Sequence, residues 1–339
     1  MSQSHPGILH EYVPRLIAHE FTSPIPHPKR NALLFIGGLT DGLLTVPYVK
    51  TLAQSLTSSP TNTWSVFNVL LTSSYLGWGI GSIDRDIEEI GQCVTYIRSL
   101  RGADTKVVIM GHSTGSQDVL HYLSAPNPLP RSQSQSQNPS VDEGLQYLTR
   151  PPVDGAIMQA PMSDREFLLN MLKGNHEASA AYAQLVNMAR IADPRTLLPL
   201  NLTGVVGFEP GTPVNAGRFW SLASPESPAV PAKDDLFSSD LGEGRLAETF
   251  GVVAQRGLLG YRLMALYSGE DEYGVPGLDM QAMLERWRVA TDKGAVDGEV
   301  KWDKEGSAVI PGATHNVKDV GQEELVERVL GYLGRVEGW

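Results

Sequence analysis

Lys106-Val107-Val108-Ile109-Met110-Gly111-His112-Ser113-Thr114-Gly115-Ser116 is the stretch whose reading decides the fold. A short apolar run rich in β-branched residues reads as a buried strand, and a helical run begins near Ser116. Between them lies Gly-x-Ser-x-Gly. At a sharp strand-to-helix turn a serine takes a strained backbone, and glycines on either side let neighbouring chain approach closely. The hydroxyl then stands above the carboxyl ends of the strands, with the N-terminus of the next helix facing any negative charge that develops there. The pattern is weak by itself. Its placement between strand and helix gives it weight.

The surrounding chain supplies the same alternation. Apolar runs at Ala32–Ile36, Trp64–Leu71, Val153–Gln159, Leu263–Tyr267 and Ala308–Ile310 join the central one as strands. Near-continuous apolar strands separated by helices predict a mostly parallel sheet covered on both faces. Residues 8–21 add an edge hairpin. Ile83, Ile87, Ile90, Val94, Ile97 and Leu100 recur at intervals of three and four, so a helix follows the second run, capped by Ser82 and stopped at Gly102. A last helix is expected over about 322–333. Two regions interrupt the alternation. Residues 127–150 turn to Ser, Gln, Asn and Pro and read as a polar low-complexity loop within the core. Residues 162–260 are far longer than one crossover requires and read as a cap, with helices near 165–172 and 178–191. The core is then 1–161 and 261–339.

Bulk properties narrow the function. The chain has 339 residues, 41% of them hydrophobic, and a formal net charge of −11. That charge, with no dense basic run, argues against nucleic acid as a partner. No apolar stretch approaches the ~20 residues of a membrane helix, and no secretory signal is evident, so a cytoplasmic protein without membrane attachment is expected. Asn201-Leu202-Thr203 is therefore a chance match to a glycosylation site. The single cysteine, Cys93, excludes internal disulfides and reads as a buried thiol. The sequence leaves the oligomeric state open.

A serine hydroxyl needs a base, and the base needs an orienting carboxylate. Among eight histidines, His315 in Pro311-Gly312-Ala313-Thr314-His315-Asn316 is best placed, after the last strand. His112 is expected to pack beneath the turn; His5, His10, His19, His27, His121 and His176 read as surface. The strand Leu263–Tyr267 runs into Ser268-Gly269-Glu270-Asp271-Glu272-Tyr273-Gly274-Val275-Pro276. Counting from Ser268 selects Asp271 as the acid, and counting from Gly269 selects Glu272. Asp271 is preferred, because an extra residue at Gly274 explains the shifted Val-Pro. The chain order Ser, acid, His is that of the α/β-hydrolase fold. Backbone N–H groups of Leu39 and Thr114 are the expected oxyanion donors. Gly38, Tyr75 and Trp78 are candidate substrate-contacting residues. Asp164 and Arg165 could position a polar substrate, but starting the first cap helix is the favoured reading.

Phe35-Ile36-Gly37-Gly38-Leu39-Thr40-Asp41-Gly42, Ser73-Ser74-Tyr75, Gly111-His112-Ser113-Thr114-Gly115-Ser116-Gln117-Asp118, Ala160-Pro161-Met162-Ser163-Asp164-Arg165-Glu166 and Asp271-Glu272-Tyr273 carry a further resemblance. They resemble an α/β-hydrolase family, formerly of unknown function, that includes fungal intracellular hydrolases of fusarinine-type siderophore esters. In that family the acidic loop usually runs Asp-Glu-Tyr-Val-Pro; Gly274 intervenes here. The resemblance implies a small-molecule ester substrate, a serine carboxylic ester hydrolase, and iron release from a siderophore. No cofactor and no resident metal are expected, since iron would arrive with the substrate. A general esterase or thioesterase, and a non-catalytic ligand-binding protein on the same fold, are the alternatives.

Overall fold

A computed structural model describes residues 4–22, 29–131, 142 and 144–339. The Ser-Gln repeat at 132–137 and His27 lie outside the described residues. Eight strands form one sheet: β1 (Gly7–Val13), β2 (Leu16–Phe21), β3 (Asn31–Ile36), β4 (Trp64–Val69), β5 (Val107–His112), β6 (Gly155–Gln159), β7 (Leu263–Ser268) and β8 (Ala308–Ile310). Their spatial order is β1-β2-β4-β3-β5-β6-β7-β8. The β1–β2 hairpin is antiparallel and joins β4 antiparallel, while every pair from β4 to β8 is parallel. The sheet and its edge hairpin therefore have the predicted form. Strands β3 to β7 are buried along their whole length, which is why their sequences run apolar without alternating.

Helices cover both faces: α1 (Pro47–Ser58), α2 (Ile83–Arg101), α3 (Gly115–Ser124), α4 (Asp164–Leu172), α5 (His176–Ile191), α6 (Leu200–Val205), α7 (Ala216–Ala223), α8 (Glu243–Glu248), α9 (Val253–Arg256), α10 (Met280–Lys293) and α11 (Gln322–Gly338). In α2 the predicted stripe is buried from Ile83 to Ile97, and Cys93 lies within it; Leu100 alone is exposed. Ser82 caps the helix by accepting the N–H of Arg85. Helices α1 and α10 have no counterpart in the sequence reading. Helix α11 runs five residues beyond its predicted end.

One difference bears on the site. Strand β5 continues two residues past its apolar run, because Gly111 and His112 pair with Met158 and Gln159 of β6. The turn is thereby compressed onto Ser113 alone.

The long connection from β6 to β7 packs in two ways. Its first part, with Leu168, Leu185, Val206, Phe219 and Leu222, makes a separate apolar cluster that also takes in Trp78. Its returning part places Leu236, Phe237, Leu246 and Phe250 in the core beneath the sheet, where Phe250 stacks on Trp287 at 5.2 Å.

Three histidines read as surface are not. His10 and His19 are each 9% exposed, and His10 reaches Glu20 at 3.0 Å. His121 meets Asp84 at 2.8 Å. His10 and His121 go inside where carboxylates satisfy them, partners that no local pattern announces. His19 instead packs edge-on to Phe21, with its Nδ1 unpaired among the described residues. The ends of the polar tract are tied together: Asn127 Nδ2 donates to the Arg150 carbonyl, and Asn127 Oδ1 accepts the Arg150 N–H.

Candidate active site

Ser113 has φ of 55°, the left-handed region, between the end of β5 and the start of α3. Glycine is needed on both sides of it. A Cβ at Gly111 would lie 2.0 Å from the carbonyl oxygen of Gly115, and one at Gly115 would lie 2.5 Å from that of Ile36. The turn is fixed from below: the Ser113 N–H donates to the Gln159 carbonyl at 3.0 Å, and the Ser116 hydroxyl donates to the same carbonyl at 2.9 Å. Gly38 abuts the serine so closely that a Cβ there would meet Ser113 Cβ at 2.6 Å.

His315 and Ser113 line one cavity, although 202 positions separate them in sequence. The two acids that the sequence left as alternatives both touch this histidine. Asp271 Oδ2 lies 2.7 Å from His315 Nδ1, and Glu272 Oε2 accepts the His315 backbone N–H at 2.8 Å. Asp271 therefore addresses the ring and Glu272 addresses the loop. A carboxylate on Nδ1 keeps the proton there and turns Nε2 outward as an acceptor.

His112 packs beneath the turn and also reaches the cavity wall. Its Nδ1 meets Gln159 Oε1 at 2.5 Å, and its Nε2 meets the side-chain amide of Asn316 at 3.0 Å. Gln159 also accepts from the Tyr48 hydroxyl and donates to Ser268. Burial, reinforced by the nearby His315, lowers the His112 pKa to about 4. A neutral His112 that donates through Nδ1 must accept at Nε2, which requires the Asn316 amide, placed with Oδ1 towards the ring, to be turned so that its NH₂ group faces it. The two imidazoles stand 4.8 Å apart, and a neutral His112 leaves room for a positive charge on His315.

The N–H groups of Leu39 and Thr114 make no hydrogen bond among the described residues. Leu39 lines the cavity, and Thr114 precedes the first residue of α3. Gly38 N–H, by contrast, is occupied by Asp41 Oδ2 at 2.8 Å.

The cavity has a volume of about 360 Å³. Trp78 lines it and is buried, edge-on to Phe208 at 5.1 Å. Tyr75 does not line it: its ring lies against Gly42, and its hydroxyl accepts the Leu43 N–H at 3.0 Å. Tyr75 braces the loop after β3. Asp164 both begins α4, as favoured, and lines the cavity, and burial raises its carboxyl pKa to about 6. Gln117 holds it, with Nε2 at 2.5 Å from Asp164 Oδ2. Gln117 had no assigned role in sequence. One turn of helix beyond Ser113, it had a position that could have marked it. Among the described residues no three of His, Cys, Asp and Glu are placed to hold a metal ion, and no helix is long and apolar enough to cross a membrane.

A parallel sheet with a left-handed serine at the end of β5 and a carboxylate-held histidine after β8 defines an α/β-hydrolase fold. The chain belongs to the family described as "Protein of unknown function (DUF1749)", which matches residues 1–334. It is 45% identical to the fusarinine C esterase sidJ of Aspergillus fumigatus, over 97% of this chain and 95% of that protein. The esterase AN6793 of Emericella nidulans is 42% identical, over 98% and 93% of the two chains. The solved siderophore hydrolase EstB from Aspergillus fumigatus superposes with a TM-score of 0.82 at 42% identity, covering 98% of each chain.

Proposed function

We propose that this protein is a serine carboxylic ester hydrolase acting on a fusarinine-type siderophore, releasing its iron inside the cell. Relatives named for fusarinine C and siderophore hydrolysis, aligned over almost the whole chain, support the substrate class. The observation that carries the mechanism is Ser113, in a one-residue left-handed turn, facing the same cavity as a histidine held by Asp271.

In this reading Ser113 Oγ attacks the ester carbonyl carbon while His315 Nε2 takes its proton. The N–H groups of Leu39 and Thr114 receive the oxyanion, each contributing about 3 kcal/mol to lowering the barrier. His315 passes the proton to the departing alkoxide, which leaves as the alcohol. Water, deprotonated by His315, then attacks the acyl-enzyme and frees the acid and Ser113. Asp271 stabilises the imidazolium formed at each attack. The segment 162–260 acts as the cap, and its first part, through α7, covers the cavity. No cofactor takes part.

Fluorophosphonate labelling and product analysis test the reading. Purified protein should bind one probe at Ser113, Ser113→Ala should bind none, and fusarinine C should yield linear hydroxamate acids by mass spectrometry. An unlabelled wild type would discard the serine mechanism. Cleavage of simple aryl esters with intact fusarinine C would retain the class and discard the substrate.

A further inference from the structure

Helix α7 borders two separate spaces. Leu222 lines the active-site cavity, whereas Trp220 and Ser221 line a second groove of about 770 Å³, within the size range of small-molecule sites. The carboxylates on this groove are already matched: Asp84 by His121 and Lys233, Asp142 by Arg85, and Asp234 by Arg218. Two guanidiniums on it are not. Arg131 and Arg190 are exposed and, among the described residues, form no hydrogen bond or ion pair, in a chain whose net charge is −11. Each lies instead over an aromatic ring that also lines the groove. Arg131 is 5.3 Å from the centre of Tyr147, and Arg190 is 5.7 Å from that of Trp220. Stacking holds a guanidinium by its face and leaves its N–H edge free, and that edge matches the two oxygens of a carboxylate. Ala125, Pro126, Leu129 and Leu145 add apolar wall. The groove therefore offers two uncommitted cationic edges beside an apolar surface.

We propose that this groove is a second ligand site, separate from the active-site cavity, and that it takes a small organic dicarboxylate. Arg131 and Arg190 each receive one carboxylate edge-on, and the apolar wall takes the body that joins them. His121 and Lys233 stay on Asp84, so the ligand meets no unmatched anion. A ligand with one carboxylate engages one guanidinium, and a neutral amide of the same shape engages neither as an ion pair. Because both arginines are exposed, the attraction is modest and salt screens it.

Octanedioate, whose flexible chain adapts to the span between the guanidiniums, is the probe, with its half-amide and its diamide as controls. Calorimetric titration of the full chain at low salt should give octanedioate a Kd of about 1 mM or below, the half-amide one about tenfold weaker, and the diamide no measurable binding. Raising the ionic strength to about 0.5 M should weaken octanedioate at least about fivefold. Arg131→Gln and Arg190→Gln, at exposed positions where folding is not at issue, should each bring octanedioate close to the half-amide. Lys173→Gln removes an exposed cation that lies outside the groove and should leave the affinity unchanged within about twofold. Absence of octanedioate binding, or equal binding of the diamide, overturns the proposal. So does an affinity that neither arginine variant changes, since the probe then sits elsewhere, and so does an equal loss in Lys173→Gln, since the attraction is then one of general charge. None of these outcomes depends on Ser113, so the hydrolase reading stands or falls separately.

Discussion

Asp271 and Glu272 hold the same histidine by different atoms, so their substitutions should separate. Asp271→Asn presents an amide to Nδ1, permits the wrong tautomer and leaves the imidazolium uncompensated. In serine proteases that change costs about 10⁴ in kcat, and a fall of 10³–10⁴ with little change in KM is expected here. Glu272→Gln keeps an acceptor for the His315 N–H, so kcat should fall less than about tenfold; Glu272→Ala leaves that N–H unpaired and should cost more, together with a lower Tm. Steady-state kinetics of the three variants check the order, and equal losses in Asp271→Asn and Glu272→Gln would refute it. Counting along the loop could not distinguish these acids. Adjacent residues at a turn both reached the histidine, one through its ring and the other through its main chain. The serine, by contrast, was legible, because its turn imposes glycines at fixed places. Asn316 and Gln159 were not, since their importance lies in contacts across the sheet with His112.

At the scale of elements, the strongest constraint is the approach of α3 to the end of β3. Gly115→Ala would push a Cβ to within 2.5 Å of the Ile36 carbonyl and 2.7 Å of the Gly37 carbonyl, both backbone atoms with little freedom to move. The displaced segment leads directly into Gly38 and Leu39. Activity should therefore fall at least tenfold, with a stability loss of about 1–3 kcal/mol. Ser82→Ala is the converse. It removes the cap of α2 and a hydroxyl that donates to Asp142, remote from Ser113, so about 1 kcal/mol of stability should go with kcat/KM retained. Urea unfolding and esterase rates on both variants test the contrast; a Gly115→Ala enzyme of wild-type activity would contradict it. Helix α2 was readable for the reason that makes it stable, a single apolar stripe with a cap. Helix α10 has comparable buried residues, Met283, Leu284, Trp287 and Ala290, and Asp279 accepts the Ala282 N–H as its N-cap. Its charged sequence between Glu285 and Lys293 obscured that stripe.

The whole molecule joins the covering helices to the sheet through a charge cluster that no local pattern announces. Asp86 comes from α2, Asp118 from α3, Asp164 from α4 and Arg218 from α7, and Asp234 lies beyond them on the returning segment. Their meeting depends on how the long insertion folds back, and composition along 162–260 could not foretell it. One guanidinium cannot balance this many carboxylates, with Glu89 of α2 also acting on Asp86 and Asp118, so protons remain. Burial, reinforced by neighbouring Asp86, pushes the Asp118 carboxyl well above its ordinary range, and burial pushes Asp86 up to about 7. The sign follows from linkage: with the folded pKa raised, the unfolded chain releases its proton first. The favourable contribution is then complete below about pH 4 and is lost as pH rises towards the folded value. His112 acts oppositely, losing stability as pH falls from 6.5 towards 4, but it is common to wild type and variant and cancels between them. Asp118→Asn imitates the protonated acid at every pH. Its Tm relative to wild type should rise by a few degrees at pH 8, by less at pH 5 and not at all below about pH 4. Arg218→Met, which strips the cluster of its cation, should lower Tm more at pH 8 than at pH 5. Thermal melts of both variants at the two pH values are the measurement, and an Asp118→Asn shift that is equal at both, or negative at pH 8, would show that Asp118 is ionised in the fold.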